Sequence, residues 1–282
     1  NESFASALTI NSFVNEFAAP PGSGEPCNLI KSGPGLVVLA AYDNSYYGTT
    51  SIMQGELQYK GFIANNHSTQ PFLNNGIFRF SGAPNDFDTQ RFSGVISGSG
   101  TFIKDTGNGT VAFTKNVSHT YTGATVVNAG TLELDHDAPN GMSISPGSAV
   151  NIGSNGTLLL SRNDNNITFP NTITGTGTLK IDPHQNAAQS AREVTLSGYN
   201  SGFSGTIKLS PTANAGSTYG SFRTNVTTDL MNLGTATVDV DLGAQLCLVS
   251  GRTVPNNLRL TGVGFGEVSG GTPATLAFGA DS

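Results

Sequence analysis

The chain of 282 residues holds 19 carboxylates, 4 histidines and 2 cysteines. Any acid–base, metal or thiol chemistry has to be built from these. Three acidic pairs stand out: Asp86 with Asp88, Asp135 with Asp137, and Asp239 with Asp241. Members of an i, i+2 pair on an extended segment point to the same side. Two carboxylates on one face are the equipment for acid–base hydrolysis of a glycan. A solvated strand face or a turn gives the same spacing without chemistry, and that reading is preferred. Asp135-His136-Asp137 is the densest titratable cluster, but one imidazole and two carboxylates on a single turn leave a metal short of ligands. His67, His119, His136 and His184 are isolated from one another in sequence. A Ser-His-Asp triad is assembled in space, yet no Gly-x-Ser-x-Gly elbow marks a nucleophile. Gly262-Val263-Gly264-Phe265-Gly266 has no helix after it, so it does not read as a nucleotide loop. No catalytic, cofactor or metal residue is assigned, and the chain is not expected to be an enzyme.

The elements that would position such groups follow from composition. Gly (36), Ser (28), Thr (32) and Asn (27) make up nearly half of the chain, and only 11% is charged, against about 25% in an ordinary soluble domain. With 13 cations against 19 anions, a phosphate track cannot be neutralised, so nucleic acid is excluded as a partner. Helical bundles are disfavoured because these four residue types form helices poorly. The longest apolar run, Leu36 to Tyr42, is far short of the roughly 20 residues of a membrane helix. The N-terminus, Asn1-Glu2-Ser3, shows no initiator Met, basic segment or apolar leader, which reads as a processed chain or a fragment.

Short alternating runs such as Thr131-Leu132-Glu133-Leu134 and Val238-Asp239-Val240-Asp241-Leu242 predict half-buried strands. They belong to a repeat. Gly48-Thr49-Thr50-Ser51-Ile52-Met53-Gln54-Gly55-Glu56-Leu57 aligns without a gap on Gly123-Ala124-Thr125-Val126-Val127-Asn128-Ala129-Gly130-Thr131-Leu132, at an offset of 75, with Tyr46 and Tyr121 ahead of each. A decayed third copy runs from Ile173 through Lys180 to Gly205 and Ile207. Lys31, Lys104 and Lys180 mark the three copies.

A period near 75 fits about three coils of some 25 residues each, stacked as a β-solenoid with an apolar column inside. Gly and Asn are expected at corners, and Thr and Ser on outward faces. Gly48, Gly55, Leu57, Gly123, Gly130, Leu132 and Gly205 are the structural repeat positions, with Gly48 and Gly123 at corners where a side chain would clash or demand a positive φ. Residues 1–25 read as an N-terminal cap or junction segment. Residues 26–282 read as a single solenoid with units near 26–95, 96–172 and 173–250 and a partial unit at 251–282.

Gly98, Gly100, Phe102, Lys104, Gly107, Gly109, Tyr121, Gly123, Thr125, Val127, Gly130 and Leu132 resemble the autotransporter-associated β-strand repeat of bacterial secreted proteins. The segment from Lys31 to Leu57 matches it nearly as well, whereas Asp182 to Arg192 breaks the pattern in the third copy. The resemblance implies a right-handed parallel β-helix exposed outside a bacterial cell, acting as stalk or scaffold. The expected function is a non-catalytic extracellular structural or adhesive solenoid, a stalk or filament subunit that assembles head to tail. The alternatives are a carbohydrate-active β-helix (lyase or glycosidase) and a passenger that binds host or matrix glycans. No cofactor and no membrane-spanning segment are expected.

Some nine coils separate Cys27 from Cys247. At about 4.8 Å per coil that separation is roughly 40 Å, well beyond the ~7 Å Cα limit for a disulfide. They read as inert thiols, or as partners across a junction between subunits. Phe4, Leu8, Ile10, Phe13 and Phe17 are the apolar residues of the N-terminal segment that would make the same junction.

Overall fold

The computed structural model describes residues 7–12, 14, 27–41, 43–44, 46–63, 70–81, 89–114, 117–134, 144–161, 167–182, 192–210, 224–228, 232–241, 244–248 and 254–261. Among these, every element of regular structure spanning more than one residue is a β-strand, and every strand pairing is parallel. Parallel neighbours need a long connection. Here the connection is the rest of a turn, so strand contacts link residues well apart in the chain, such as Val37 with Leu57 and Ile207 with Val238. Strands stacked turn upon turn in this way make the chain an all-β parallel solenoid, as the repeat predicts. No helix among the described residues is long and apolar enough to cross a membrane.

Two long ladders carry the structure. The first passes through Leu8, Val37, Leu57, Phe78, Phe102, Thr125, Val150 and Ile173. The second passes through Gln90, Val111, Leu132, Leu158, Leu179, Ile207, Val238 and Leu258. A shorter sheet joins Leu29, Thr50, Phe72 and Ile96, and another joins Ile167, Val194, Val226 and Leu246. Along a strand the burial alternates with period two, as in Glu56–Tyr59, Ile77–Phe80 and Thr206–Leu209. The apolar half of each of these strands therefore faces one shared column.

The ladders place the three copies of the repeat around this column. Lys31 lies on the shorter sheet beside Leu29. Three steps along that sheet, from Leu29 to Thr50, to Phe72 and to Ile96, fall short of a full repeat, because each of these turns is shorter than a third of it. The remaining residues carry the chain to Phe102 and Lys104 on the first ladder. From Phe102, three more steps reach Ile173, and the chain then moves to Leu179 on the second ladder. One repeat is thus three turns plus one ladder over, and successive copies start on different sides of the rod. The third lysine does not keep its place. Ile181 occupies the buried position of Lys104, one residue past Lys180. Lys180 instead points outward and pairs with Asp182.

The column changes character along the rod. Tyr59, Phe72, Phe78, Phe92, Phe102 and Phe113 form a run of touching rings, with Phe72 stacked on Phe78 at 5.2 Å between centroids and Phe102 against Phe113 at 4.9 Å. Past Val127 the filling is mainly aliphatic: Leu132, Leu158, Leu179, Ile207 and Val238 on the second ladder alone. Phe78 is wholly buried among four aromatic rings. Phe78→Ala is expected to lower the unfolding free energy by about 3–5 kcal/mol. Ile30→Ala, at a residue 66% exposed, is expected to stay within about 0.5 kcal/mol of the parent. Denaturant titration checks both.

Candidate functional site

The motif positions converge on one corner, built twice. At the start of each corner a buried tyrosine hydroxyl meets the threonine four residues on: Tyr46 with Thr50 and Tyr121 with Thr125, both at 2.6 Å. Tyr46 also bonds Tyr59, while Thr125 passes the chain on to Ser148, whose hydroxyl donates to the Gly123 carbonyl. A buried hydroxyl without a partner is costly, so Tyr and Thr recur together in Tyr-x-Gly-x-Thr. The glycine between them is set by space. A Cβ on Gly48 would lie 2.1 Å from the Cys27 carbonyl oxygen, and one on Gly123 would lie 2.2 Å from that of Gly100.

Seven residues past each of these glycines the corner closes on Gly55 (φ +72°) or Gly130 (φ +69°). These left-handed conformations suit glycine, and a Cβ would sit 2.5 Å from the carbonyl oxygens of Gly33 or Gly107 in the turn before. Beneath them lie the lysines. Lys31 is 5% exposed, and its Nζ donates to the carbonyls of Ser32, Gly33 and Gln54. Lys104 is fully buried, and its Nζ donates to the Thr106 carbonyl at 2.7 Å. The ammonium thus satisfies corner carbonyls that strand pairing leaves over. Burial lowers the pKa of both lysines, and that of Lys104 falls to about 8 despite the opposing pull of Asp105. Leu57 and Leu132 follow the closing glycines and are fully buried in the column. Gly205 stacks on Gly177, whose carbonyl oxygen would be 2.0 Å from its Cβ.

The candidate chemistry is dispersed. Asp239 and Asp241 do lie on the same outward side of Thr237–Asp241. However, Asp239 faces Arg259 at 3.9 Å and Asp241 faces Lys208 at 3.6 Å, so both serve cross-turn ion pairs. Glu56, Arg79, Asp105 and Asn128 form a second outward row across four turns. Partial burial there acts to raise the Asp105 pKa, but the hydrogen bonds from Asn128 and Arg79 outweigh it and hold the carboxylate below its ordinary range. Asp86, Asp88, Asp135, His136, Asp137, His67 and His184, and also Phe4, Phe13 and Phe17, lie outside the described residues. No group of three or more potential metal ligands occurs among the described residues. Cys27 is exposed beside the first turn, and Cys247 sits on Ala244–Leu248 near the opposite end of the strand order.

The expectation of asparagines at corners left their burial open: Asn44, Asn74, Asn171 and Asn200 are buried. Asn171 donates to the Ser145 and Ser148 carbonyls, and Asn200 accepts from the Ile173 N–H while donating to the Asn232 carbonyl. His119 is buried with them. The signal was present for one pair: Asn44 and His119 both stand two residues before the motif tyrosine.

Two outcomes follow from the corner. Gly130→Ala is expected to cost about 1–3 kcal/mol through its positive φ, while Gly147→Ala, with only the Ser145 hydroxyl near at 3.9 Å, stays within about 0.5 kcal/mol. Lys104 has a folded pKa near 8 against 10.5 when unfolded, so the unfolded chain holds the extra proton between those values. Stability therefore rises as pH goes from about 8 to 10, by up to ~1.4 kcal/mol per unit. Tyr46, raised to about 12 by burial against the opposing hydrogen bonds of Thr50 and Tyr59, reverses the slope above pH 10. Unfolding titrations across pH 7–11 should show the rise, and Lys104→Met should reduce it to the contribution of Lys31 while keeping the fall.

The passenger-associated-transport-repeat model matches residues 29–58 and 105–134, roughly a fifth of the chain. No curated protein and no solved structure shows a significant match. Each matched segment holds one complete Tyr-Gly-Thr corner with its closing glycine, and equivalent strands of the two are displaced by one ladder, Thr50 lying on the shorter sheet and Thr125 on the first ladder. This chain is therefore a parallel β-solenoid carrying two passenger-associated transport repeats, consistent with the β-helix of an autotransporter passenger.

Proposed function

We propose that the chain is a non-catalytic structural segment of a secreted bacterial surface protein, a stalk that also assembles head to tail. The observation that carries this reading is the continuous parallel sheet from Leu8–Ile10 to Leu258–Thr261, in which Thr125–Leu134 and Val150–Ser161 span both ladders and join them. Each of those outermost strands has a partner on one side only among the described residues. A strand edge of this kind is a template for another chain, and a heterologous contact repeated between copies propagates as a fibre. Leu8 is 59% exposed on one outer strand, and Leu260 is exposed on the other. Ile10 packs partly against the column, and Ala40 donates to its carbonyl. The engagement of Asp239 and Asp241 by cations supports a scaffold over a hydrolase.

In this arrangement Leu8, Ile10, Phe4, Phe13 and Phe17 meet the last turn of a neighbour, and Cys27 of one copy comes near Cys247 of the next. Electron microscopy of the purified protein is expected to show filaments of one-solenoid width. Monodisperse short rods at the same concentration would refute head-to-tail assembly. On a non-reducing gel the filaments should run as a ladder of linked chains that collapses in Cys27→Ser. A single monomer band from intact filaments would remove the cysteines from the junction while leaving the assembly itself standing.

A further inference from the structure

We propose that His119 makes the second repeat corner an acid-sensitive joint, which loosens when its imidazole takes up a proton. The same structural task recurs at three places among the described residues. A buried side chain accepts a hydrogen bond from a backbone N–H of the preceding turn: Asn44 Oδ1 from Val14 at 3.2 Å, His119 Nδ1 from Ile96 at 3.0 Å, and Asn200 Oδ1 from Ile173 at 2.6 Å. Asn44 and His119 are equivalent by the repeat offset, each two residues before its corner tyrosine. Asparagine does this at two of the three places and cannot titrate. Histidine does it at the third.

The surroundings make protonation disruptive there. His119 is buried, its ring lies 4.1 Å from that of Phe113 and 6.4 Å from that of Tyr121, and its Nε2 has no hydrogen-bond partner among the described residues. With Nδ1 accepting, the neutral ring carries its proton on Nε2. A second proton would have to enter at Nδ1, directly opposite the Ile96 N–H. Two donors would then face each other at 3.0 Å inside the column, and the Ile96 amide would lose its acceptor. No charged group among the described residues compensates. The titratable neighbour from the following segment is Tyr121, whose phenol is held neutral by burial against the hydrogen bonds of Thr125 and Ser148. Of the strands packed around Phe113, Thr101–Lys104 carries Lys104, bound at the Thr106 carbonyl, with Asp105 beyond it bound to Arg79 and Asn128. Arg91 is exposed on Thr89–Phe92, Glu133 lies outward on Thr125–Leu134, and Thr110–Phe113 and Ile96–Ser97 contain no ionisable side chain. Desolvation alone places the folded pKa at about 3.

The direction follows from linkage. The unfolded histidine titrates near 6.5 and the folded one near 3, so the unfolded chain binds the extra proton between them. Stability is complete above pH 6.5 and falls as the pH drops toward 3, the unfolding equilibrium shifting up to tenfold per pH unit. Because Thr120 and Tyr121 donate to the Ile96 carbonyl, opening at this place releases the corner that begins at Tyr121.

The test compares the full chain with His119→Asn, which imports the residue of the first corner, and with His119→Gln. Unfolding equilibria are measured from pH 7 to 5, and amide hydrogen exchange is followed at Ile96 and across 117–125. The parent should lose stability by up to tenfold more per pH unit than His119→Asn, most steeply below pH 6, with exchange rising first at this corner. Equal acid slopes in parent and variant would overturn the proposal. Should both variants fail to fold, the NMR titration of His119 in the parent decides: a midpoint near 6.5 in the folded state refutes the joint, and an imidazole still neutral at pH 5 upholds it.

Discussion

The structure depends on one constraint: each turn of backbone must lie against the turn before it at the spacing of a parallel sheet, about 4.8 Å. Strands meet that condition through their own hydrogen bonds. Corners do not, because the chain bends there and its carbonyls turn away from the ladder. The glycines at Gly48, Gly123 and Gly205 are the steric expression of the constraint, since any Cβ would enter the carbonyl of the turn below. The buried lysines are its electrostatic expression. Lys31 collects three corner carbonyls with its ammonium, and a charged group accepts burial only when its donors are used in this way.

The same constraint accounts for the polar interior. A solenoid column of pure hydrocarbon would leave the corner amides unpaired. Ser148, at the Gly123 carbonyl, and the asparagines at 44, 171 and 200 supply the missing partners from inside, while Tyr46 with Thr50 and Tyr121 with Thr125 satisfy one another's buried hydroxyls. Outside, the demand is weaker, and the rows Glu56-Arg79-Asp105 and Lys208-Asp241 with Asp239-Arg259 knit neighbouring turns through partly exposed ions. Such pairs contribute modestly. The low charge of the chain reflects how few of them the scaffold uses.

The parallel solenoid, the inward leucines and the special glycines were legible before any coordinates. Period-two alternation assigned Leu57 and Leu132 inward, and the gapless offset of 75 fixed Gly48 against Gly123 and Gly55 against Gly130. The candidate carboxylates were legible only as pairs. Their spacing correctly set Asp239 and Asp241 on one side, but it could not reveal that Lys208 and Arg259, on the adjoining turns, engage them. Lys180 misled for a related reason. A lysine at nearly the right interval looks like a third copy of Lys104, and a slip of one residue on a strand turns it to the opposite face.

What the sequence determined by itself is local: strand, corner, inward or outward, and the identity of equivalent corners. These depend on alternation and on glycine geometry, which neighbouring residues decide. What only the tertiary structure decided is which turn lies on which. Turns differ in length, from the short one between Val37 and Leu57 to the long one between Val194 and Val226, so a single repeat advances three turns and one ladder over. Register between turns is set by backbone pairing across those lengths, not by any local pattern. That is why the Ile96 amide meets His119, and why a residue that resembles a solvated polar side chain in the sequence is a buried acceptor in the fold.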